Sequence, residues 1–289
     1  MKLQIVYPED GWILTTLARY LIDNIDEAVG SVTTPDVSRS WDITYYVNYF
    51  LFKTDRFKHL LPFRAATRNS RFSGAWFTHK DKYRYESKAR MLDFCVCPCT
   101  ITAEYIRKYN RRTSVVYHGI DTSRFVPKLR LGFIGKIRPD NRKGQDLFTT
   151  VQSLPFVELT TTGGKLAPEA IPAFYQNIDY VFIPSVTEGG PLCFQEGLAS
   201  GKEIISTDVG MVHDFIGSEG VHIFDRNRPE NLINLLNVLF ERKLRLRRLV
   251  EEYSIDYFVS GHLKVFKNLL EPGRKQIMKA PSRDMEEIW

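Results

Sequence analysis

Short apolar runs, each followed by a turn and a stretch of helical spacing, recur along this chain, and that alternation limits its fold more than any other feature. Residues 2–7 form an apolar run stopped by Pro8, and Asp10 with Gly11 makes a turn. Ile13, Leu14, Leu17, Ala18, Leu21 and Ile22 then repeat at the period of a helix. Further strands are predicted at 41–52, 75–78, 93–99, 114–117, 130–135, 156–161, 179–183, 203–206 and 221–224. Helices are predicted at 80–92, 102–109, 144–152, 168–177, 191–200, 211–217, 229–243 and 254–270. Strands joined through helices of about ten residues build parallel sheets from βαβ units. The pattern is weakest at 119–129, which divides the chain into two α/β domains, 1–125 and 126–253. A last helix, 254–270, and a polar, loosely ordered tail, 271–289, follow.

The charge is unevenly placed. Residues 1–125 hold 19 Lys and Arg against 13 Asp and Glu, and residues 126–289 hold 21 of each. The whole excess of +6 thus lies in the first domain, most densely at 53–90. A basic half meets an anionic partner such as a membrane surface, a polyphosphate or nucleic acid, or else it is a solvated face. Hydrophobic residues at 43% and charged ones at 26% exclude general disorder. No apolar run reaches 18 residues, so no membrane-spanning helix is expected. The apolar run at the start is too short for a signal peptide, and four cysteines are too few for a disulfide scaffold, so a cytoplasmic setting is expected.

Two motifs carry chemistry. In the first, the strand 179–183 ends at Pro184 and leads through Glu188, Gly189, Gly190, Pro191 and Leu192 into a helix holding Glu196. The glycine pair lets backbone approach a ligand, and Pro191 suits the first helical position. The loop then offers amide groups and the positive end of a helix dipole to an anion. Glu188 and Glu196 flank it as acceptors for sugar hydroxyls. Gly197 in mid-helix costs stability with no structural return evident in the sequence, which argues against a merely structural helix start. In the second motif, a strand ends at Gly135 and Lys136, and a basic loop carries Lys143 into Gly144. Two ammonium groups there would neutralise charge on a leaving phosphate.

Taken together, Gly135-Lys136 with Lys143-Gly144, and Glu188 with Glu196 eight positions on, resemble the donor-binding domain of the family 4 retaining glycosyltransferases. The resemblance runs from His118 to Gly210. It implies a GT-B fold, two Rossmann-like doubly wound parallel-sheet domains facing across a cleft. It implies transfer of a sugar, with retention, from a nucleotide-diphosphate sugar (UDP- or GDP-linked) to a glycan or lipid-linked hydroxyl. No tightly bound cofactor and no divalent metal are implied. By the same resemblance Glu188 contacts the transferred sugar and Glu196 the ribose. Lys136 and Lys143 hold the diphosphate, the backbone of Gly189, Gly190, Pro191 and Leu192 surrounds sugar and phosphate, and the loop of Thr162, Gly163, Gly164 and Lys165 lies near the base. His79, after the strand 75–78, stands where the family carries a histidine near the sugar, and Gly11 with Trp12 replaces a glycine-rich turn. Lys136 stands where arginine is usual.

His118 is assigned to the hinge, and His213 to the cleft below Gly210. Cys95, Cys97 and Cys99 alternate along one strand face, a spacing that suits packing better than tetrahedral zinc. The basic helix around 240–250 is a solvated face or a contact with anionic lipid at the inner membrane face. The same fold also hosts nucleotide-sugar epimerases and sugar phosphorylases. A nucleic-acid-binding protein, or an enzyme glycosylating a DNA base, is the alternative that uses the basic half.

Overall fold

The structure is a computed structural model and describes residues 1–9, 11–52, 69–78 and 85–271. Asp10, His79, much of the basic stretch, the start of the helix predicted at 80–92 and the tail beyond 271 lie outside the described residues. The chain divides into two compact units. One comprises residues up to Thr122 together with those from Glu251 on; the other is Ser123–Val250.

The first unit is built on a six-stranded sheet in the order β2-β1-β3-β4-β5-β6, with every pairing parallel. Its strands are β1 (Leu3–Tyr7), β2 (Ala28–Val32), β3 (Trp41–Tyr46), β4 (Ser70–Trp76), β5 (Phe94–Cys97) and β6 (Thr113–Val115). Helices α1 (Ile13–Asn24), α2 (Tyr85–Met91) and α3 (Thr100–Arg107) lie between them. The period of two along each strand sorts the side chains into two cores. Ile5, Tyr45, Trp76 and Val96 pack on one face with Leu17 and Leu21 of α1. Val6, Tyr46, Ala75, Cys95 and Cys97 pack on the other with Ala89 of α2 and Ala103 and Ile106 of α3. Helix α8 (Ile255–Leu270) completes the first core with Phe258, Val259, Val265 and Phe266.

The second unit holds a five-stranded parallel sheet in the order β11-β10-β9-β7-β8. Its strands are β7 (Leu129–Phe133), β8 (Val157–Thr161), β9 (Tyr180–Ile183), β10 (Glu203–Ser206) and β11 (Val221–Ile223). Helices α4 (Phe148–Gln152), α5 (Ile171–Gln176), α6 (Leu192–Ala199) and α7 (Pro229–Glu251) cover both faces. Leu131, Phe182 and Ile205 meet Leu232, Leu236 and Leu239 of α7 on one face, while Val181, Ile183 and Ile204 meet Tyr175 of α5 and Phe194 of α6 on the other. The strand order reverses between β1 and β3 in the first sheet and between β7 and β9 in the second. In open sheets of this kind a ligand lies outside the carboxyl ends of the strands at such a point.

Several expectations need correction. Strand β2 is not predicted by the sequence pattern; it is a short, half-exposed edge strand in which Gly30 and Ser31 interrupt the apolar residues. The aromatic run 41–52 leaves the sheet after Tyr46, because the Asn48 side chain accepts from the Phe50 amide at 3.0 Å and starts a 3-10 turn at Tyr49–Leu51. The stretch Gly210–Phe215 is 3-10 and not α-helical. Cys95 and Cys97 lie buried on β5, but the strand stops there, and Cys99 is the residue that precedes α3. Burial pushes the Cys97 thiol up to about 12.

Candidate active site

The loops after β7 and β9 meet at the switch point of the second sheet. The loop after β9 begins at Pro184 and Ser185, both buried. Glu188 Oε1 accepts from Ser185 Oγ at 2.8 Å and pairs with Lys143 Nζ at 2.5 Å. The side chains of Lys143 and Glu188 retain only 22% and 12% exposure, so neither charge is fully solvated and each is the other's nearest counter-ion. Ser185 is itself held through its carbonyl, which accepts from Thr207 Oγ1 at 2.6 Å.

Lys143 reaches Glu188 because its loop lies against the strand end. Gly144 has φ +76°, and a Cβ there would come within 1.9 Å of the Pro184 carbonyl oxygen, so only glycine permits the approach. The Val186 amide donates to Arg142 O at 2.8 Å from the other side. Gly210 plays the matching part beneath the glycine pair. It has φ +50°, and a Cβ would lie 2.0 Å from Gly189 O, while the Met211 amide donates to that same oxygen at 2.8 Å. Gly190 stands open apart from Met211 Sδ.

Pro191 caps α6 with φ −67° and ψ 112°, one position before the first helical residue, which corrects the expected placement. The Phe194 amide donates to Pro191 O, whereas the amides of Leu192 and Cys193 precede any helical acceptor. Glu196, one turn further, accepts from Tyr175 Oη at 2.8 Å. Burial first, and then this bond to a carboxylate, raises the Tyr175 phenol far above its ordinary range, so it remains a donor. Gly197 also needs correction. A Cβ there would meet Val181 Cγ2 at 2.6 Å and Ile204 Cδ1 at 3.0 Å, so the glycine does have a structural return: it seats α6 against the sheet.

On the far side of the switch point, the Thr162 hydroxyl accepts from the amides of Gly135 at 3.1 Å and Gly164 at 3.3 Å. This ties the loop of Gly163, Gly164 and Lys165 to the end of β7. The stem of Lys136 covers Gly164, where a Cβ would meet Lys136 Cγ at 2.3 Å. Ser185 and Tyr175 are not singled out by the sequence motifs. Each is polar and lies in or beside an element assigned on apolar grounds, and Tyr175 reaches Glu196 across 21 positions.

The remaining candidates stand elsewhere. Gly11 and Trp12 belong to the first unit, at the carboxyl end of β1, where Trp12 is 73% exposed. His118 stacks on Trp76 with ring centroids 5.0 Å apart. His213 is exposed and pairs with Asp208 at 2.8 Å, a bond that raises its pKa. His79 lies outside the described residues. Among the described residues no three His, Cys, Asp or Glu side chains are grouped to hold a metal ion, and no helix is long and apolar enough to cross a membrane.

Residues 125–255 match the family model described as glycosyl transferases group 1. The match spans the second unit and the site just described. The lipopolysaccharide core biosynthesis mannosyltransferase LpsB of Rhizobium meliloti (strain 1021) is 28% identical over 180 residues, which are 45% of this chain and 50% of that protein. The chain thus spans half the length of that relative. Among solved structures, the lipopolysaccharide outer core galactosyltransferase WaaB aligns with 92% of this chain and 99% of its own at 12% identity and a TM-score of 0.39. The Anabaena protein HepE in complex with UDP aligns with 92% of this chain and 100% of its own at 10% identity and a TM-score of 0.36. Two doubly wound parallel-sheet units, the second matching the group 1 model, give the α/β, GT-B class of fold expected from the sequence.

Proposed function

We propose that the chain is a retaining glycosyltransferase that moves a sugar from a nucleotide-diphosphate sugar, UDP- or GDP-linked, to a hydroxyl of a glycan or lipid-linked saccharide. One observation carries this reading: Lys143, Glu188 and Ser185 converge at the switch point of the unit that matches the group 1 model. A cation for the diphosphate and a carboxylate for sugar hydroxyls are thereby held side by side. Lys143 turns from Glu188 to the diphosphate when donor binds, and Glu188 is then free to accept from the sugar. Glu196, with one oxygen held by Tyr175, offers the other to the ribose. The amides at Gly189, Gly190, Leu192 and Cys193 face the phosphates. The loop of Gly163, Gly164 and Lys165 lies by the base.

In the reaction the bond from the anomeric carbon to the β-phosphate oxygen breaks. The bond to the acceptor oxygen forms on the same face, and the acceptor proton passes to the departing phosphate. Lys136 and Lys143 neutralise the charge that develops there, so no divalent ion is required. The relation to a core mannosyltransferase supports a lipid-linked saccharide as acceptor. The basic half of the chain supports work at an anionic membrane face in the cytoplasm.

A thermal-shift panel tests the reading. It uses UDP, GDP, ADP, dTDP and CDP and their sugar conjugates, with and without Mg²⁺, beside duplex DNA. A nucleotide at about 100 times its dissociation constant adds about 2.7 kcal/mol. One base standing out in the absence of Mg²⁺ is the expected result. A shift with DNA and none with any nucleotide would overturn the donor site.

A further inference from the structure

We propose that Arg226 is a positioning residue for Lys143, acting through Asp146; this rests on the donor-site reading above. Arg226 follows β11, and nothing in the two sequence motifs points to it. Its Nη2 donates to both carboxylate oxygens of Asp146 at 2.6 Å, and its Nη1 donates to Pro184 O at 3.0 Å. One planar guanidinium therefore clasps the loop after β7 to the end of β9. The two anchor points bracket the site: Asp146 is three residues past Lys143, and Pro184 is four before Glu188. Gly144, between Lys143 and Asp146, is pressed against the same Pro184 carbonyl.

The clasp spans a hollow and not a packed core. Arg226 lines a cavity of about 410 Å³ together with Ser185, Thr207, Asp208 and Asp225. The Arg226 side chain is 20% exposed and that of Asp146 is 42% exposed. With the guanidinium removed, Lys143 keeps its pair with Glu188, and its loop keeps the Gly144 approach and the Arg142 backbone bond, but the side-chain link between Asp146 and Pro184 is lost. A cation a fraction of an ångström out of place binds a diphosphate less well.

The test is a double-mutant cycle on the full chain, read as affinity for UDP or GDP by titration calorimetry, with Arg226→Met and Asp146→Asn each made alone and with Lys143→Ala. Arg226→Met is expected to weaken binding roughly tenfold when Lys143 is present and less than twofold when it is absent. Asp146→Asn, at an exposed position, should move affinity the same way by a smaller factor. Equal losses in both backgrounds would mean that Arg226 supports the fold alone and would overturn the proposal, as would unchanged affinity. If Arg226→Met loses its native near-ultraviolet dichroism, the Asp146→Asn cycle decides by the same criteria. Failure of the unaltered chain to bind either nucleotide would overturn the donor-site reading and this inference with it.

Discussion

Lys143 and Glu188 hold each other, which prepares the two side chains the proposed reaction uses and keeps both from collapsing elsewhere. Lys143→Ala removes the cation, and Glu188→Gln keeps the shape and the Ser185 bond while removing the charge. Each should lower kcat/KM for donor, read as release of nucleoside diphosphate, by about 10²-fold or more. The thermal midpoint should fall as well, because either change leaves a largely buried partner without its counter-ion, and native near-ultraviolet dichroism shows that the variant is folded. Rates near the parent's in folded protein would remove both residues from the site. Much of this site is legible in the amino-acid sequence. Glu188, Glu196, Lys136 and Lys143 stand in or beside loops at the ends of apolar runs, and it is the order and spacing of the two pairs together, through the family resemblance, that singles them out. Tyr175 and Arg226 are not legible there, because their partners lie 21 and 80 positions away and are met only through the packing of the unit, and Ser185, though three residues from Glu188, is one hydroxyl in a loop with nothing to mark it.

At the level of the element, α6 shows two effects in opposition. Alanine is favoured over glycine in a helix by about 1 kcal/mol, so Gly197→Ala read on propensity alone would stabilise. The packing decides otherwise. A Cβ 2.6 Å from Val181 and 3.0 Å from Ile204 must push α6 off two β-branched side chains buried in the sheet. Overpacking of this kind costs about 1–3 kcal/mol. The substitution should therefore destabilise by about 1 kcal/mol in urea unfolding, and a gain in stability would show that α6 can move away freely. The same strand-and-helix packing explains where element boundaries shifted. The run 41–52 alternates like a strand, yet the Asn48 cap turns it out of the sheet. Strand β2 forms against β1 although it is short, is interrupted by Gly30 and Ser31 and stays half-exposed at the sheet edge.

At the level of the whole molecule, the first unit is closed by residues from the far end of the chain. His262 of α8 is fully buried; its Nε2 meets Tyr45 Oη at 3.0 Å and its Nδ1 meets Phe258 O at 2.9 Å. With Nδ1 donating to the carbonyl, Nε2 accepts from the phenol, and the ring is neutral. Burial lowers its pKa from 6.5 to about 4. The unfolded chain takes up a proton below pH 6.5, and the folded chain does not until near pH 4. Stability is therefore whole above about pH 6.5 and declines as pH falls towards 4, by up to ~3 kcal/mol from this group. Urea unfolding at about pH 7.5 and about pH 4.5 should show that loss, and His262→Met should reduce it. An equal loss in the variant would show that other groups cause it.

What the sequence determined by itself is the kind of layer each segment enters. Apolar runs of four to six residues must be covered on both faces, and helices of matching period supply the cover, so two parallel sheets follow from pattern alone. It also determined where charge stands at strand ends, because such residues fit neither core. Tertiary structure alone decided which charges meet. The pairing of Lys143 with Glu188, the clasp of Arg226 on Asp146 and the closure of the first unit by His262 join positions 45, 80 and 217 residues apart. Such contacts depend on strand order and register, which come from packing summed over a whole sheet and leave no mark in any local stretch of sequence.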